Sequence, residues 1–263
     1  MCIYQEIKDL NRIVVKVGTS TLAYPNGRLN IRRVERLIRV LADLQNMGKE
    51  IILVSSGAIG VGAGVIGMSE RPQEKREKQA AAAVGQCALM NFYGKQFNEY
   101  GHTVAQILMT KDIVENPKSK ENVCNTFAKL LEYRVIPIVN ENDSISTEEA
   151  EFGDNDTLSA IVAKLTGADM LVIMSDIDGL YTDNPRKNKD AKIIQCVDTI
   201  DDNLMKVAGG AGSKYGTGGM ITKLQAAKMA TEAGICMSIV NGKDPGVLYD
   251  VVEGKQVGTM FTV

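Results

Sequence analysis

Short apolar runs alternate with helical patterns along most of this chain. The apolar run RIVVKVG at 12–18 precedes a stretch, 31–48, in which apolar residues recur at helical spacing, and the apolar run EIILVSS follows at 50–56. Apolar strands separated by helices are typical of a mostly parallel sheet covered on both faces. We therefore expect an α/β fold, a three-layer αβα sandwich with a central, mostly parallel sheet.

The same alternation continues towards the C-terminus. It predicts strands at 103–109, 134–140, 169–175, 235–242 and 257–263, and helices at about 79–99, 122–133, 155–167 and 221–234. We expect the last strand at an edge of the sheet. Pro137 argues against a central position for the strand around it, because proline donates no ladder hydrogen bond. The best candidate for a division lies near 153–170, so we expect one domain, 1–263, with lobes at about 1–168 and 169–263.

Composition and charge argue against several classes of function. A net charge of −2 supplies no basic field for nucleic acid, and no apolar run reaches the roughly 18 residues of a membrane span. The N-terminus lacks the pattern of a signal peptide. The five cysteines are scattered, and the single histidine, His102, cannot build a histidine metal site or a Ser–His relay unaided. We expect a cytoplasmic protein without structural zinc that binds neither nucleic acid nor membrane.

The residues that follow each strand need to be considered together, because ligands of such sheets bind outside the carboxyl ends of the strands. In the first strand, Lys16 interrupts an otherwise apolar run. One interpretation is an edge strand with its lysine in water. The other is a cation directed at a bound anion, with Gly18 allowing the backbone to approach. The sequence leaves both open.

Two glycine-rich segments invite a nucleotide-binding interpretation. Gly62 to Gly67 matches G-x-G-x-x-G, but it starts several residues after the strand and a charged helical stretch follows it, so we interpret the match as coincidental. Gly57, with Ser55 or Ser56, lies closer to the strand end and could hold a small polar ligand. The segment GTGGMITKLQAA at 216–227 is not a Walker motif, yet a glycine-rich turn that leads into a helix predicts an anion site.

Acidic and amide side chains cluster in two neighbouring segments, NENDSIS and GDNDTLSA. Their members are Asn140, Asn142, Asp143, Asp154, Asn155 and Asp156. The spacing of an EF-hand is absent. Three interpretations remain: a solvated loop with a helix cap, a D-x-D metal site from Asp154 and Asp156, or a site that binds an ammonium group and orients lysines.

Six ordered segments, VVKVGTS, VSSGAI, NENDSI, GDNDTLSA, SDIDGLYTDNPR and GTGGMITKLQAA, resemble the amino acid kinase family. Within that family they are most similar to the branch that phosphorylates the side-chain carboxylate of L-glutamate. The resemblance implies ATP-dependent formation of L-glutamyl 5-phosphate, the first step of proline biosynthesis. It also implies ATP and Mg²⁺ as cofactors, with Mg²⁺ carried by the nucleotide rather than by protein ligands.

The resemblance also assigns roles to individual residues. Lys16 and Lys223 would stabilise the transferred phosphoryl group from two sides, and Asp156 would orient both lysines. Ser56, Asp143 and Asn155 would bind the amino acid. Gly18 and Thr19 would lie near the phosphates. The nucleotide would be bound by Lys16, Ser175, Asp176, Thr217, Gly218, Gly219, Met220, Ile221, Thr222 and Lys223.

Members of this branch are commonly inhibited by proline at a site that overlaps that of glutamate, so we expect the segments 57–79 and 144–153 to affect such control. A homo-oligomer, dimer or tetramer, is also expected. Many members carry a C-terminal PUA domain, whereas this chain ends at GTMFTV, which predicts a short form. The alternatives are a kinase of the same superfamily for acetylglutamate, aspartate, carbamate or UMP, a dinucleotide-dependent oxidoreductase, and a non-catalytic amino-acid sensor.

Overall fold

The protein is described by a computed structural model that covers residues 10–24, 26–110, 113, 115–145, 155–185, 187–201, 204–205 and 219–263. Within these ranges eight strands form one sheet in the order β3-β4-β2-β1-β5-β7-β8-β6. The strands are β1 Arg12–Val17, β2 Glu50–Ser55, β3 Val104–Met109, β4 Ile136–Glu141, β5 Met170–Ser175, β6 Cys196–Val197, β7 Cys236–Asn241 and β8 Thr259–Phe261. Only the β7–β8 pair in this sheet is antiparallel.

Helices cover both faces of this sheet. They are α1 Thr19–Leu22, α2 Ile31–Asn46, α3 Ala58–Ile66, α4 Lys75–Asn98, α5 Pro117–Glu132, α6 Asn155–Thr166, α7 Met220–Thr231 and α8 Val247–Val252. One apolar core joins the sheet to α2, α3, α4 and α8, and a second joins it to α5, α6 and α7. The predicted three-layer αβα architecture is confirmed. No helix in the described ranges is long and apolar enough to cross a membrane.

Strand β1 lies in the middle of the sheet, between β2 and β5. Alternate side chains of a strand point to opposite faces, so Val15 packs into the core below α2, whereas Val14 packs into the core shared with α6 and α7. Lys16 follows on the same side as Val14 and is only 4% exposed. The interpretation of Lys16 as a solvated edge-strand lysine is therefore wrong.

The structure also corrects two expectations about strand positions. Strand β8 does not form an edge, because the two-residue strand β6 pairs with its outer side. Strand β4 is internal despite Pro137. The β2–β4 ladder begins at Ile138, while the Ile136 amide donates on the other side, to the carbonyl of Thr103 at 2.9 Å. The proline therefore lies just outside the ladder in which its missing N–H would have been needed.

The G-x-G-x-x-G segment forms helix α3 rather than a strand-to-helix turn. A Cβ on Gly62 would lie 1.8 Å from the Ala81 carbonyl oxygen, and one on Gly85 would lie 1.8 Å from the Ala58 carbonyl oxygen. Gly67 ends the helix in the left-handed conformation, with φ of 83°. Gly62 and Gly85 allow α3 and α4 to pack backbone against backbone. This role in packing agrees with the interpretation of the G-x-G-x-x-G match as coincidental.

Candidate active site

Three buried charged side chains meet at the carboxyl end of β1. The Lys16 ammonium lies 2.8 Å from Asp156 Oδ1, and the Lys223 ammonium lies 3.0 Å from Asp156 Oδ2. They are 4%, 0% and 6% exposed for Lys16, Asp156 and Lys223. The Thr222 hydroxyl donates to Asp156 Oδ2 at 3.0 Å. We call Lys16, Asp156 and Lys223 the charged triad. Its members come from β1, the first turn of α6 and the first turn of α7.

The electrostatics of the triad keep its carboxylate ionised. Burial alone would raise the pKa of Asp156, but the ammonium groups of Lys16 and Lys223 outweigh burial, and the pKa lies below its usual range. With both lysines protonated, the triad carries one net positive charge in a buried position. Two ammonium groups beside one carboxylate make this position favourable for the binding of an anion.

A cavity of about 630 Å³ opens above the triad, and we call it the lysine cavity. Two of its lining side chains, Lys16 and Lys223, belong to the triad. Five other residues predicted for the site also line it, namely Gly18, Thr19, Ser56, Ser175 and Asp176. The structure therefore brings together, around one cavity, residues that are separated by up to two hundred positions in the chain.

Asn155 contacts Ser56, which lines this cavity, and is held by several hydrogen bonds. Its side-chain nitrogen donates to the Ser56 hydroxyl at 2.8 Å, to the Ser55 carbonyl at 3.1 Å and to Asn140 Oδ1 at 2.9 Å. The Asn140 nitrogen in turn donates to Gln86 Oε1 at 3.0 Å. A side-chain amide therefore joins the end of β2 to the start of α6.

Asp143 does not line the lysine cavity. It lines a second cavity of about 560 Å³, the Asp143 cavity, together with Gln86, Gln106 and Glu141. Burial raises the pKa of Asp143 to about 6. The amide chain from Asn155 through Asn140 to Gln86 connects the walls of the two cavities. Asp143 is thus linked to the predicted site through this chain and does not contact the triad.

The glycine-rich segment before α7 is only partly covered. Thr217 and Gly218 lie outside the described residues. Gly219 is the N-cap of α7, and Met220 and Ile221 form the start of its first turn. The helix start that the sequence predicted after this loop is therefore present, with Lys223 directed at Asp156.

The described residues contain no group of three or more His, Cys, Asp or Glu side chains that could hold a metal ion. Asp154, one half of the D-x-D interpretation, lies outside the described ranges. His102 is placed away from any such role, since its Nε2 lies 3.1 Å from the Ala42 carbonyl oxygen.

Sequence reasoning missed one wall of the lysine cavity. Tyr24, Asn26 and Gly27 line it from the connection between α1 and α2, and 68–71 line it from the segment after α3. Gly27 adopts φ of 76°, and a Cβ there would lie 2.5 Å from the Gly60 carbonyl oxygen. The Asn-Gly pair is a turn signal that marks such a connection, but no signal in the sequence relates that turn to the lysines.

The chain was compared with known proteins. The amino acid kinase family matches residues 11–241. A glutamate 5-kinase of Clostridium perfringens is 58% identical over 259 residues, which cover 97% of this chain and 96% of the relative. Glutamate 5-kinases of Clostridium tetani and Enterococcus faecalis are 56% and 49% identical, each with 97% of this chain and 96% of the relative covered.

Solved structures with the same fold are more distant in sequence. A UMP kinase from Bacillus anthracis superposes with a TM-score of 0.66 at 16% identity and covers 96% of both chains. An isopentenyl phosphate kinase superposes with a TM-score of 0.66 at 15% identity, over 96% of this chain and all of the other. At such identities the likeness supports the fold alone. The match to the family and the high identity to its curated members establish that this chain belongs to the amino acid kinase family and, within it, to the glutamate 5-kinases.

Proposed function

We propose that this kinase transfers the γ-phosphoryl group of ATP to the γ-carboxylate of L-glutamate, forming L-glutamyl 5-phosphate and ADP, as the first step of proline biosynthesis. The names of its relatives support the substrates. The observation that carries the chemistry is the charged triad, in which Lys16 and Lys223 contact opposite oxygens of one buried carboxylate.

The proposed reaction needs no general base. A glutamate γ-carboxylate is ionised at neutral pH, so its oxygen attacks the γ-phosphorus directly while the bond to the ADP oxygen breaks. Positive charges held in fixed positions stabilise the negative charge on the transferred group. Lys16 and Lys223 are the proposed catalytic residues, and Asp156 positions both ammonium groups.

The two halves of the sheet supply different ligand sites in this proposal. Residues 1–168 form the amino-acid lobe, with Ser56, Asp143 and Asn155 as ligands of glutamate. Residues 169–263 form the nucleotide lobe. Its proposed ligands are Ser175, Asp176, Thr217, Gly218, Gly219, Met220, Ile221, Thr222 and Lys223, together with Lys16 from the first lobe. As the resemblance to the family implies, we propose that Mg²⁺ enters as the complex with ATP.

A hydroxylamine trap tests the reaction. The protein is incubated with MgATP and hydroxylamine, and with glutamate, acetylglutamate, aspartate, UMP or no acceptor. Acyl phosphates react with hydroxylamine to give hydroxamates, whereas a phosphorylated UMP does not. Hydroxamate with glutamate alone is the expected result. No hydroxamate with any acid, despite ATP consumption with UMP, would contradict the proposal.

The role of the triad is tested with Lys223→Met, which keeps much of the side-chain volume but removes the charge. Loss of one stabilising group of this kind lowers turnover by about 10²–10³-fold. The matched control is Lys129→Met, because Lys129 forms an exposed pair with Glu132 at 2.7 Å and should leave turnover unchanged. Turnover of Lys223→Met within a few-fold of the unmodified enzyme would remove the lysine from the mechanism.

We further propose that proline inhibits the enzyme by competing with glutamate and that the chain forms a homo-oligomer. Both follow from the resemblance to the family. Competition predicts that proline raises the apparent KM for glutamate and leaves that for ATP unchanged. Light scattering of the purified chain measures its oligomeric state, and a monomer would contradict the second point.

A further inference from the structure

The amide groups that connect the two cavities have only one possible orientation. The backbone N–H of Glu141 donates to the Asn140 side chain at 2.9 Å. A backbone N–H can only donate, so the atom that receives it is the Asn140 oxygen. The nitrogen of Asn140 must then face Gln86, and the atom that Gln86 presents at 3.0 Å must be its oxygen.

The same reasoning fixes Asn155. The Asn140 oxygen also lies 2.9 Å from the Asn155 side chain, so Asn155 presents its nitrogen there. The Ser55 carbonyl, which can only accept, meets the same nitrogen at 3.1 Å and requires the same orientation. Among the described residues, no donor hydrogen-bonds to the Asn155 side-chain oxygen.

From this geometry we infer that Gln86 is a positioning residue for substrate recognition. It holds Asn140, and through it Asn155, so that the Asn155 oxygen accepts a hydrogen bond from the ammonium group of the amino-acid substrate. This inference rests on the proposed function. Gln86 and Asn140 are 9% and 2% exposed, so water offers little replacement for the bond between them, and a buried amide that loses its partner is unfavourable.

The outer end of the chain provides an internal comparison. Gln86 Nε2 donates to Gln106 Oε1 at 3.3 Å, but Gln106 is exposed and lines the same cavity. Water can replace this outer bond. The backbone groups of Glu141 and Ser55 set the orientation of the two asparagines, and the Gln86 oxygen holds the Asn140 nitrogen in place. The position of Asn155 is therefore expected to depend on the oxygen of Gln86 rather than on its nitrogen.

The test compares Gln86→Met with the control Gln106→Met, each assayed by the hydroxylamine trap with glutamate and ATP varied separately. Loss of one hydrogen bond to the substrate corresponds to a rise of about fivefold to tenfold in the KM for glutamate. For Gln86→Met we expect that rise, with kcat and the KM for ATP within about twofold of the unmodified enzyme. Gln106→Met should change none of the three constants by more than about twofold.

Glutarate, which lacks the amino group, provides a second readout. As a competitive inhibitor it should bind Gln86→Met and the unmodified enzyme equally, because it offers no N–H to the Asn155 oxygen. If glutarate inhibits neither enzyme, binding of the dicarboxylate requires its amino group, and the inference is then decided by the KM for glutamate and the KM for ATP. A glutamate KM within about twofold of the unmodified enzyme would overturn the inference. A parallel rise in the ATP KM or in the inhibition constant of glutarate would also overturn it, because that result indicates that the substitution disturbs the whole site rather than one hydrogen bond to the amino group.

The assay separates this inference from the function on which it rests. If the unmodified enzyme gives no hydroxamate with glutamate, the proposed function fails. If it does and Gln86→Met behaves like it, only the role of Gln86 fails. Should Gln86→Met not fold, Gln86→Leu, which likewise removes the amide and fills its space with apolar atoms, is measured in its place with the same expectations.

Discussion

Replacement of Asp156 by asparagine should destabilise the ligand-free protein strongly. The substitution keeps the shape of the side chain but removes the carboxylate that contacts both Lys16 and Lys223, which are 4% and 6% exposed. Removal of one partner from a buried ion pair costs about 3–5 kcal/mol. For a protein of this size each 1 kcal/mol lowers Tm by about 2–4 °C, so Asp156→Asn should lower Tm by about 6–20 °C.

Urea unfolding at pH 7, followed by circular dichroism, measures this loss. The matched control is Glu132→Gln, which removes the carboxylate from an exposed pair with Lys129 and should change the free energy of unfolding by less than about 1 kcal/mol. In the double variant Asp156→Asn, Lys223→Met one of the two ammonium groups that lost this carboxylate is gone, so part of the stability should return. A loss below about 1 kcal/mol in Asp156→Asn would show that the triad is solvated and would refute the electrostatic reasoning.

Further predictions concern Asp143, Gly85 and Thr222. Burial raises the pKa of Asp143 to about 6, and the ionised form of Asp143 would bind the substrate ammonium group. The KM for glutamate should therefore rise as pH falls from 7 to 5. Asp143→Asn should give a high KM for glutamate that does not vary with pH. The ligand-free protein should become more stable over the same fall in pH, because a native pKa above the unfolded value of 3.8 favours the native state as protons are added. If Asp143→Asn and the unmodified protein showed the same trend, the raised pKa of Asp143 would be contradicted. Gly85→Ala should lower the free energy of unfolding by at least about 1–3 kcal/mol, since its Cβ would overlap the Ala58 carbonyl. In the control Gly94→Ala, in the same helix, the Cβ meets nothing within 4 Å, so this substitution should raise the free energy of unfolding by about 0.5–1 kcal/mol. Equal effects of the two substitutions in urea unfolding would exclude the packing argument. Thr222→Val removes a hydroxyl bond of 3.0 Å to the triad carboxylate and should lower kcat by about fivefold. Because Thr222 is also a proposed nucleotide ligand, the KM for ATP should rise while the KM for glutamate stays unchanged. An unchanged kcat would contradict a role for this hydroxyl in holding the triad.

Periodicity predicted the elements that carry the core, because burial on both sides leaves long apolar runs in strands such as β1, β2 and β5. It missed α3, whose three internal glycines resemble a loop in sequence. Backbone packing against α4 compensates for their low helix propensity. It also misjudged β8, since its outer partner β6 has only two residues and no periodic pattern.

The candidate site was predictable only in part, because its central contacts join residues far apart in the chain. An apolar run interrupted by one lysine, as in β1, is compatible with either an edge or a central strand, and the pairing with β5 decides that Lys16 is buried. Asp143 lies close in sequence to Asn140, yet its carboxylate lines a different cavity from that of the triad. The chain of amides between these cavities leaves no sequence signal, since asparagine and glutamine are common in loops and on surfaces.

The central position of β1 constrains how this chain can fold while it is being synthesised. One side of β1 pairs with β2, whereas the other side pairs with β5, which starts at Met170 and is therefore synthesised much later. Until then the nascent chain on the ribosome carries an unpaired strand edge, which is a template for aggregation, and Lys223 has still to be translated. The two lysines therefore meet only after nearly the whole polypeptide has emerged. A truncated N-terminal fragment is consequently expected to be both inactive and dependent on chaperones for solubility.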